Sequence, residues 1–214
     1  MKKYYPAFID IENQPCLVVG GGCVAEEKIE ALLECKGKVS VISPELTNEL
    51  SKKVENGDIL WESRKYITGA VQGYRIVISA TDSQKVNEQV YRDAEIRGIM
   101  VNVVDIPPLC RFIVPSIVRQ RDLCIAISTG GKSPALAKKI RVELETKFGD
   151  EYADLVDLLG EYRPLMQRKY PDDINIRARL WTSLVDSDIL DLIRAGHLDK
   201  ARDRVESCIL HLSD

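Results

Sequence analysis

Histidine is nearly missing from this 214-residue chain: His197 and His211, both near the carboxyl end, are its only two. Each reads as a helix-surface residue, and a histidine-built metal centre is not expected; no metal site is assigned. The six cysteines, Cys16, Cys23, Cys35, Cys110, Cys124 and Cys208, include no C-x-x-C pair. Several sit inside apolar runs, so reduced thiols used as small hydrophobes are expected, not a disulfide framework or a zinc site. No apolar stretch approaches the roughly 18 residues of a membrane helix, and the amino-terminal MKKYYPAFIDIE lacks a signal peptide's apolar core. The expectation is a cytoplasmic protein that does not engage a membrane. Charge of one sign is not in excess either: a formal net of −3 gives no global argument for nucleic acid. Internal repeats and low-complexity segments are absent. What is there, 45% hydrophobic and 29% charged residues, describes an ordinary globular chain, long enough for one large domain or a domain with an appendage.

The chain is organised around residues 16–31, CLVVGGGCVAEEKIEA. Leu17, Val18 and Val19 read as a buried strand, and a helical pattern begins at Val24. Gly20, Gly22 and Ala25 satisfy G-x-G-x-x-A, a dinucleotide fingerprint. Gly20 allows a tight turn, Gly22 lets the backbone approach a pyrophosphate, and Ala25 lets helix and strand pack closely. The free N–H groups and positive dipole end of the helix then face the phosphates. A plain glycine turn between strand and helix is the competing reading of these residues alone.

Strand and helix then alternate. The helix presents Val24, Ile29, Ala31, Leu32 and Leu33 as its apolar side and stops at Gly37. Lys38–Ser43 is a second strand, Pro44 stands at the first position of a helix toward Val54, and Ile59–Trp61 is a third strand. Arg75–Ala80 is the clearest buried strand. Ser83 caps a helix to about Arg97, with Val86, Val90, Ala94 and Ile96 inward, and Met100–Val104 is another strand. This rhythm argues for right-handed βαβ units in a Rossmann-type parallel sheet, with ligands beyond the strands' carboxyl ends at residues 20–22, 43–45 and 80–82. The acid that usually ends the second strand and holds the ribose is displaced here; Ser43 or Glu45 takes its place. No arginine stands at that strand end for a 2′-phosphate, which favours NAD over NADP. Beyond residue 105 the rhythm changes. Phe112–Val118 and Leu123–Ile127 read as short strands, 128–134 as a polar loop with Pro134 opening a helix to Phe148, and 150–214 as helical. Helical spacing runs through Leu198, Ala201, Val205, Ile209 and Leu212. The fold class expected is α/β, with a Rossmann-type domain over 1–112, a small α+β dimerisation region over 113–149 and a helical domain over 150–214.

Two features carry chemistry. Asp105 lies just past a strand's carboxyl end, where it is either a general base beside a nicotinamide or a turn residue bonding its own backbone. Arg111, Arg119, Arg121, Lys132, Lys138, Lys139 and Arg141 make a basic run around the loop Ser128-Thr129-Gly130-Gly131-Lys132. Backbone N–H groups there, Gly130 among them, together with Lys132 suit an anion. Scarce aromatics argue for a polyanionic small molecule over nucleic acid.

Together, VVGGGCVAEEK, VISPEL, VISATD, VNVVDIPPLCRFIVPSIV and ISTGGKSPALAKKIR resemble the siroheme synthase N-terminal family, the precorrin-2 dehydrogenases, some of which are also sirohydrochlorin ferrochelatases. The resemblance covers about residues 5 to 150, and no fused methyltransferase domain follows, so a stand-alone form is expected. It implies that NAD accepts a hydride from precorrin-2 to give sirohydrochlorin, with ferrous iron as a further substrate in bifunctional members. It implies that Gly20, Gly21, Gly22, Cys23, Val24, Ser43, Pro44, Glu45 and Thr81 line the cofactor. Asp105 matches the family's essential aspartate, and Ser128 a serine of the tetrapyrrole site. Members are intertwined homodimers. A non-catalytic NAD-sensing dimeric module is the alternative, which explains the glycine turn and the displaced ribose acid but not the conjunction in one chain of Asp105 with the basic glycine loop.

Overall fold

The structure, a computed structural model, describes residues 3–210; His211 and Leu212 lie outside the described residues. The chain divides into two units between Val114 and Pro115.

In the first unit, β1 (Pro15–Val19), α1 (Cys23–Glu34), β2 (Lys38–Ile42), α2 (Asn48–Glu55), β3 (Ile59–Glu62), β4 (Ile76–Ser79), α3 (Gln84–Ile96) and β5 (Met100–Val103) follow in order. The strands form one sheet in the order β3-β2-β1-β4-β5, each neighbouring pair parallel. Both sheet faces are covered, which is why the strands read as continuous apolar runs. Successive side chains point to opposite faces: Cys16 and Val18 pack with Ile29 and Leu32 of α1 and Leu50 of α2. Leu17 and Val19 pack with Val90 and Ala94 of α3.

Several helix and strand ends differ from expectation, each for a tertiary reason. α1 buries Ala25, Ile29 and Leu32, while Val24 and Ala31 are exposed, off the stripe that faces the sheet. Pro44 does not open α2; residues 44–46 first close over the glycine turn, and Thr47 caps the helix by accepting from Leu50 N–H. In α3, capped by Ser83, Ile96 is 80% exposed, and the polar Asn87 and Asp93 are buried instead. Strand β6 begins at Ser116, because Phe112 is held by β5: Asn102 Nδ2 donates to Phe112 O at 3.0 Å.

Asp93 explains the helix-free crossover from β3 to β4. Its buried carboxylate accepts from Tyr66 O–H at 2.7 Å and Gly69 N–H at 2.8 Å, pinning that loop to α3. Burial, then the Asp93 hydrogen bond, raises the Tyr66 phenol above its ordinary range. Burial, with the nearby Cys35, pushes the Cys16 thiol up to about 11. Both groups are therefore held neutral in the folded state. Their contribution is fully present below the unfolded values near 9 and 10 and is lost as pH rises through the folded ones. Stability to urea is expected to be flat from neutrality to about pH 8.5 and to fall by on the order of 1 kcal/mol or more by about pH 10.5. Cys16→Ala should flatten part of that slope; an unchanged alkaline limb in this variant would assign it elsewhere.

In the second unit, β6 (Ser116–Gln120) and β7 (Leu123–Ile127) form an antiparallel hairpin, turned at Arg121 with φ +50°. Then come α4 (Pro134–Lys147), α5 (Asp150–Lys169), α6 (Ile174–Val185), α7 (Ile189–Arg194) and α8 (Leu198–Leu210). Ser133 caps α4, accepting from Leu136 N–H at 3.2 Å, with Pro134 in its first turn. Leu155, Leu158, Met166, Leu184, Ile189, Val205 and Ile209 form the helical core. Among the described residues no helix is long and apolar enough to cross a membrane, and none of the six cysteines is disulfide-bonded. His197 is exposed.

Candidate active site

The strand order reverses direction on either side of β1, and ligands of such sheets bind at the crevice this creates beyond the carboxyl ends. Gly20 occupies that point with φ +125°; a Cβ on it would lie 2.1 Å from Ala80 O, at the end of β4. Gly21 is equally confined: a Cβ there would meet Glu45 O at 2.1 Å and Ser43 Oγ at 2.9 Å. Gly22 is the open one, with nothing within 4 Å of its would-be Cβ. It is the N-cap of α1 and no side chain caps the helix, so the first-turn N–H groups at Cys23, Val24 and Ala25 remain available to an anion. The cradle fits a pyrophosphate.

The flanking loops are fixed by hydrogen bonds that are buried or partly buried. Thr47 N–H donates to Gly21 O at 3.0 Å, and Trp61 Nε1 to Ser43 O at 2.9 Å. Ser43 is buried against Gly21, while Pro44 and Glu45 are exposed. Ser79 Oγ donates to Asn87 Oδ1 at 2.7 Å, and Asn87 Nδ2 to Thr81 O at 2.9 Å. This network holds Thr81, half-buried, over Gly20. Arg64 carries no signal of its position in the sequence. It lies just past the end of β3, the neighbour of β2, where its Nε donates to Glu62 Oε2 at 2.7 Å. Only the sheet order reveals that position, and the ion pair occupies its charge.

Asp105 follows β5. Val103 pairs with Ser79, and Ser79 with Val19, so Asp105 stands at the same sheet edge as Gly20 but two strands away. That is roughly 10 Å across the sheet. The side chain is exposed, and among the described residues its carboxylate has no hydrogen-bond or ion-pair partner. It does not bond its own backbone. Its φ is +60°, a conformation costing an L-residue about 1 kcal/mol or more.

In the second unit the glycine loop is closed largely on itself. Ser128 Oγ accepts from Gly130 N–H at 3.0 Å, Thr129 O from Lys132 N–H at 3.2 Å, and Thr129 Oγ1 from Ser133 N–H at 3.0 Å. Gly131 N–H and the Lys132 ammonium have no partner among the described residues. The basic run is less free than its composition suggests. Arg121 is paired with Asp154 and Asp157, Arg141 with Glu145, Lys139 with Glu143, and, in the first unit, Arg111 with Glu95. Arg119, Lys132 and Lys138 keep unpaired charges among the described residues.

A doubly wound parallel sheet with an open glycine-led helix at its switch point defines a dinucleotide-binding protein of the Rossmann class. Residues 7–116 match the family described as putative NAD(P)-binding, 120–147 the sirohaem biosynthesis protein central region and 151–209 the sirohaem synthase dimerisation region. The chain belongs to that putative NAD(P)-binding family, in the siroheme synthase N-terminal group, and the match falls on its first unit. It is 36% identical over 209 residues to a siroheme synthase of Nitrosococcus oceani, covering 97% of this chain and 44% of that protein. It is 37% identical over 200 residues to one of Vesicomyosocius okutanii, covering 94% and 43%. The chain thus spans less than half the length of these curated relatives. A solved structure titled "SirC, precorrin-2 dehydrogenase" shares the fold with a TM-score of 0.75 at 24% identity, covering 95% of this chain and 100% of that one.

Proposed function

We propose that the protein oxidises precorrin-2 to sirohydrochlorin with NAD. The observation that carries this reading is Asp105: an exposed, unpartnered carboxylate in a left-handed turn, at the sheet edge where Gly22 leaves α1 open. When bound, NAD supplies the hydride acceptor. The proton that must leave the macrocycle with that hydride goes to Asp105, the general base. Gly20, Gly21, Gly22, Cys23 and Val24 bind the pyrophosphate through backbone, and Ser43, Pro44, Glu45 and Thr81 line the rest of the cofactor. Ser43 or Glu45 serves the ribose hydroxyls, and the pairing of Arg64 with Glu62 supports NAD over NADP.

The substrate's many carboxylates are assigned to Ser128, Gly130 and Lys132, on the strength of the free Lys132 ammonium and the adjoining Gly131 N–H. Insertion of ferrous iron requires removal of the pyrrolic N–H protons, again a task for Asp105, with the macrocycle providing the nitrogen ligands. The dimerisation-region match over 151–209 supports a homodimer, and six cysteines outside any disulfide are consistent with a cytoplasmic setting.

Mixing the protein with NAD and precorrin-2 is expected to give NADH absorbance together with the sirohydrochlorin chromophore. A flat trace with NAD bound would favour a non-catalytic sensing module instead. Adding ferrous iron to the product, against a no-enzyme control, reads out chelation.

A further inference from the structure

Cys110 reads from sequence as a buried hydrophobe, and it is 3% exposed. Its hydrogen bonds say more. Sγ–H donates to Val103 O at 3.1 Å, with Ile106 O at 3.4 Å sharing the proton. Those carbonyls belong to the first and last residues of a four-residue turn, closed by Ile106 N–H on Val103 O at 3.2 Å, whose third residue is Asp105. On the acceptor side of the sulfur, buried Asn102 of β5 places Nδ2 at 3.6 Å, and the same amide donates to Phe112 O at 3.0 Å. A chain of buried and partly buried polar contacts therefore runs from the sheet, through one sulfur, to both ends of the turn that bears the carboxylate.

The turn needs such a grip, because φ at Asp105 is +60° and its side chain is anchored by nothing else among the described residues. An aliphatic side chain of similar size fills the same space but cannot engage either carbonyl. We propose that Cys110, held by Asn102, is a positioning residue for Asp105, fixing the left-handed turn so that the carboxylate stands out at the sheet edge. The inference rests on the assignment of Asp105 as the base.

The test follows NADH formation from precorrin-2 in Cys110→Ala, Cys110→Val and Cys110→Ser. Valine keeps the volume and suits the extended backbone at this position (φ −116°, ψ 133°), so a fold defect in the alanine variant does not end the experiment. Both apolar variants are expected to lose about tenfold or more in kcat, since small displacements of a catalytic group are costly, with KM for NAD within about twofold. Serine, which keeps a donor, should restore kcat to within about threefold. In an Asp105→Asn background, Cys110→Ala should change the residual rate by less than about twofold, because the group it positions is already gone. Wild-type kcat in the valine variant beside an inactive Asp105→Asn overturns the inference and leaves the dehydrogenase reading standing. Equal losses in all three variants with a raised KM for NAD would mark Cys110 as packing alone and also overturn it. An active Asp105→Asn removes both.

Discussion

Asp105→Asn is expected to lower kcat for NAD-dependent oxidation by about 10²–10⁴-fold, the usual range for loss of a general base. Kd for NAD should stay within a few-fold, since the glycine turn lies two strands away. Asparagine tolerates the left-handed conformation, so the loss cannot be charged to misfolding. Asp105→Gly sharpens the test. Glycine relieves the strain at φ +60°, so the variant should match or exceed wild-type stability by up to about 1 kcal/mol while losing turnover. A residue kept in a costly conformation for chemistry shows that combination; a mere turn residue shows stability effects only. Normal turnover by Asp105→Asn removes this carboxylate from the reaction.

The second large effect separates glycines that serve the fold from the one left open for a ligand. Gly20→Ala sets a Cβ 2.1 Å from Ala80 O at a φ of +125°. Since that neighbour is backbone, the cost is on the order of 3 kcal/mol or more, a large part of a domain's stability. Gly21→Ala meets Glu45 O at the same 2.1 Å and should behave alike. Gly22→Ala has open space and an ordinary φ of −91°. As an N-cap change it should cost no more than about 1 kcal/mol. It should nevertheless weaken NAD binding by about tenfold or more, because the methyl occupies the approach to the helix N-terminus. Thermal unfolding with NAD titration on the three variants decides the matter. A Gly22→Ala protein that binds NAD normally would move the pyrophosphate away from this turn.

Much of the first unit could be read before any coordinates. Val18 and Val19, Val39 and Val41, and Ile76 and Ile78 signal buried parallel strands through local composition, and Ser83 and Pro134 mark helix starts through chemistry confined to one turn. The glycine fingerprint and Asp105 at a strand end belong to the same class of signal. The structure departs from the local signal where a partner far along the chain decides the outcome. Asp93 displaces Ile96 from the inner side of α3 because Tyr66 and Gly69 need an acceptor. Pro44 is diverted from a helix start because residues 44–46 must close over Gly21.

By itself, then, the sequence determined the alternating strands and helices, the glycine turn between the first strand and helix and the placing of one carboxylate after β5, since each depends on neighbours within a few residues. Tertiary structure alone decided that Gly21 is sealed and Gly22 open, that Arg121 is taken up by Asp154 and Asp157, and that Arg64 stands near the end of β2 already paired. It also decided that the Cys110 sulfur grips the Asp105 turn. Periodicity reports which side of an element is apolar; it carries no record of which distant donor meets which acceptor, and those meetings govern the charge and the geometry at this site.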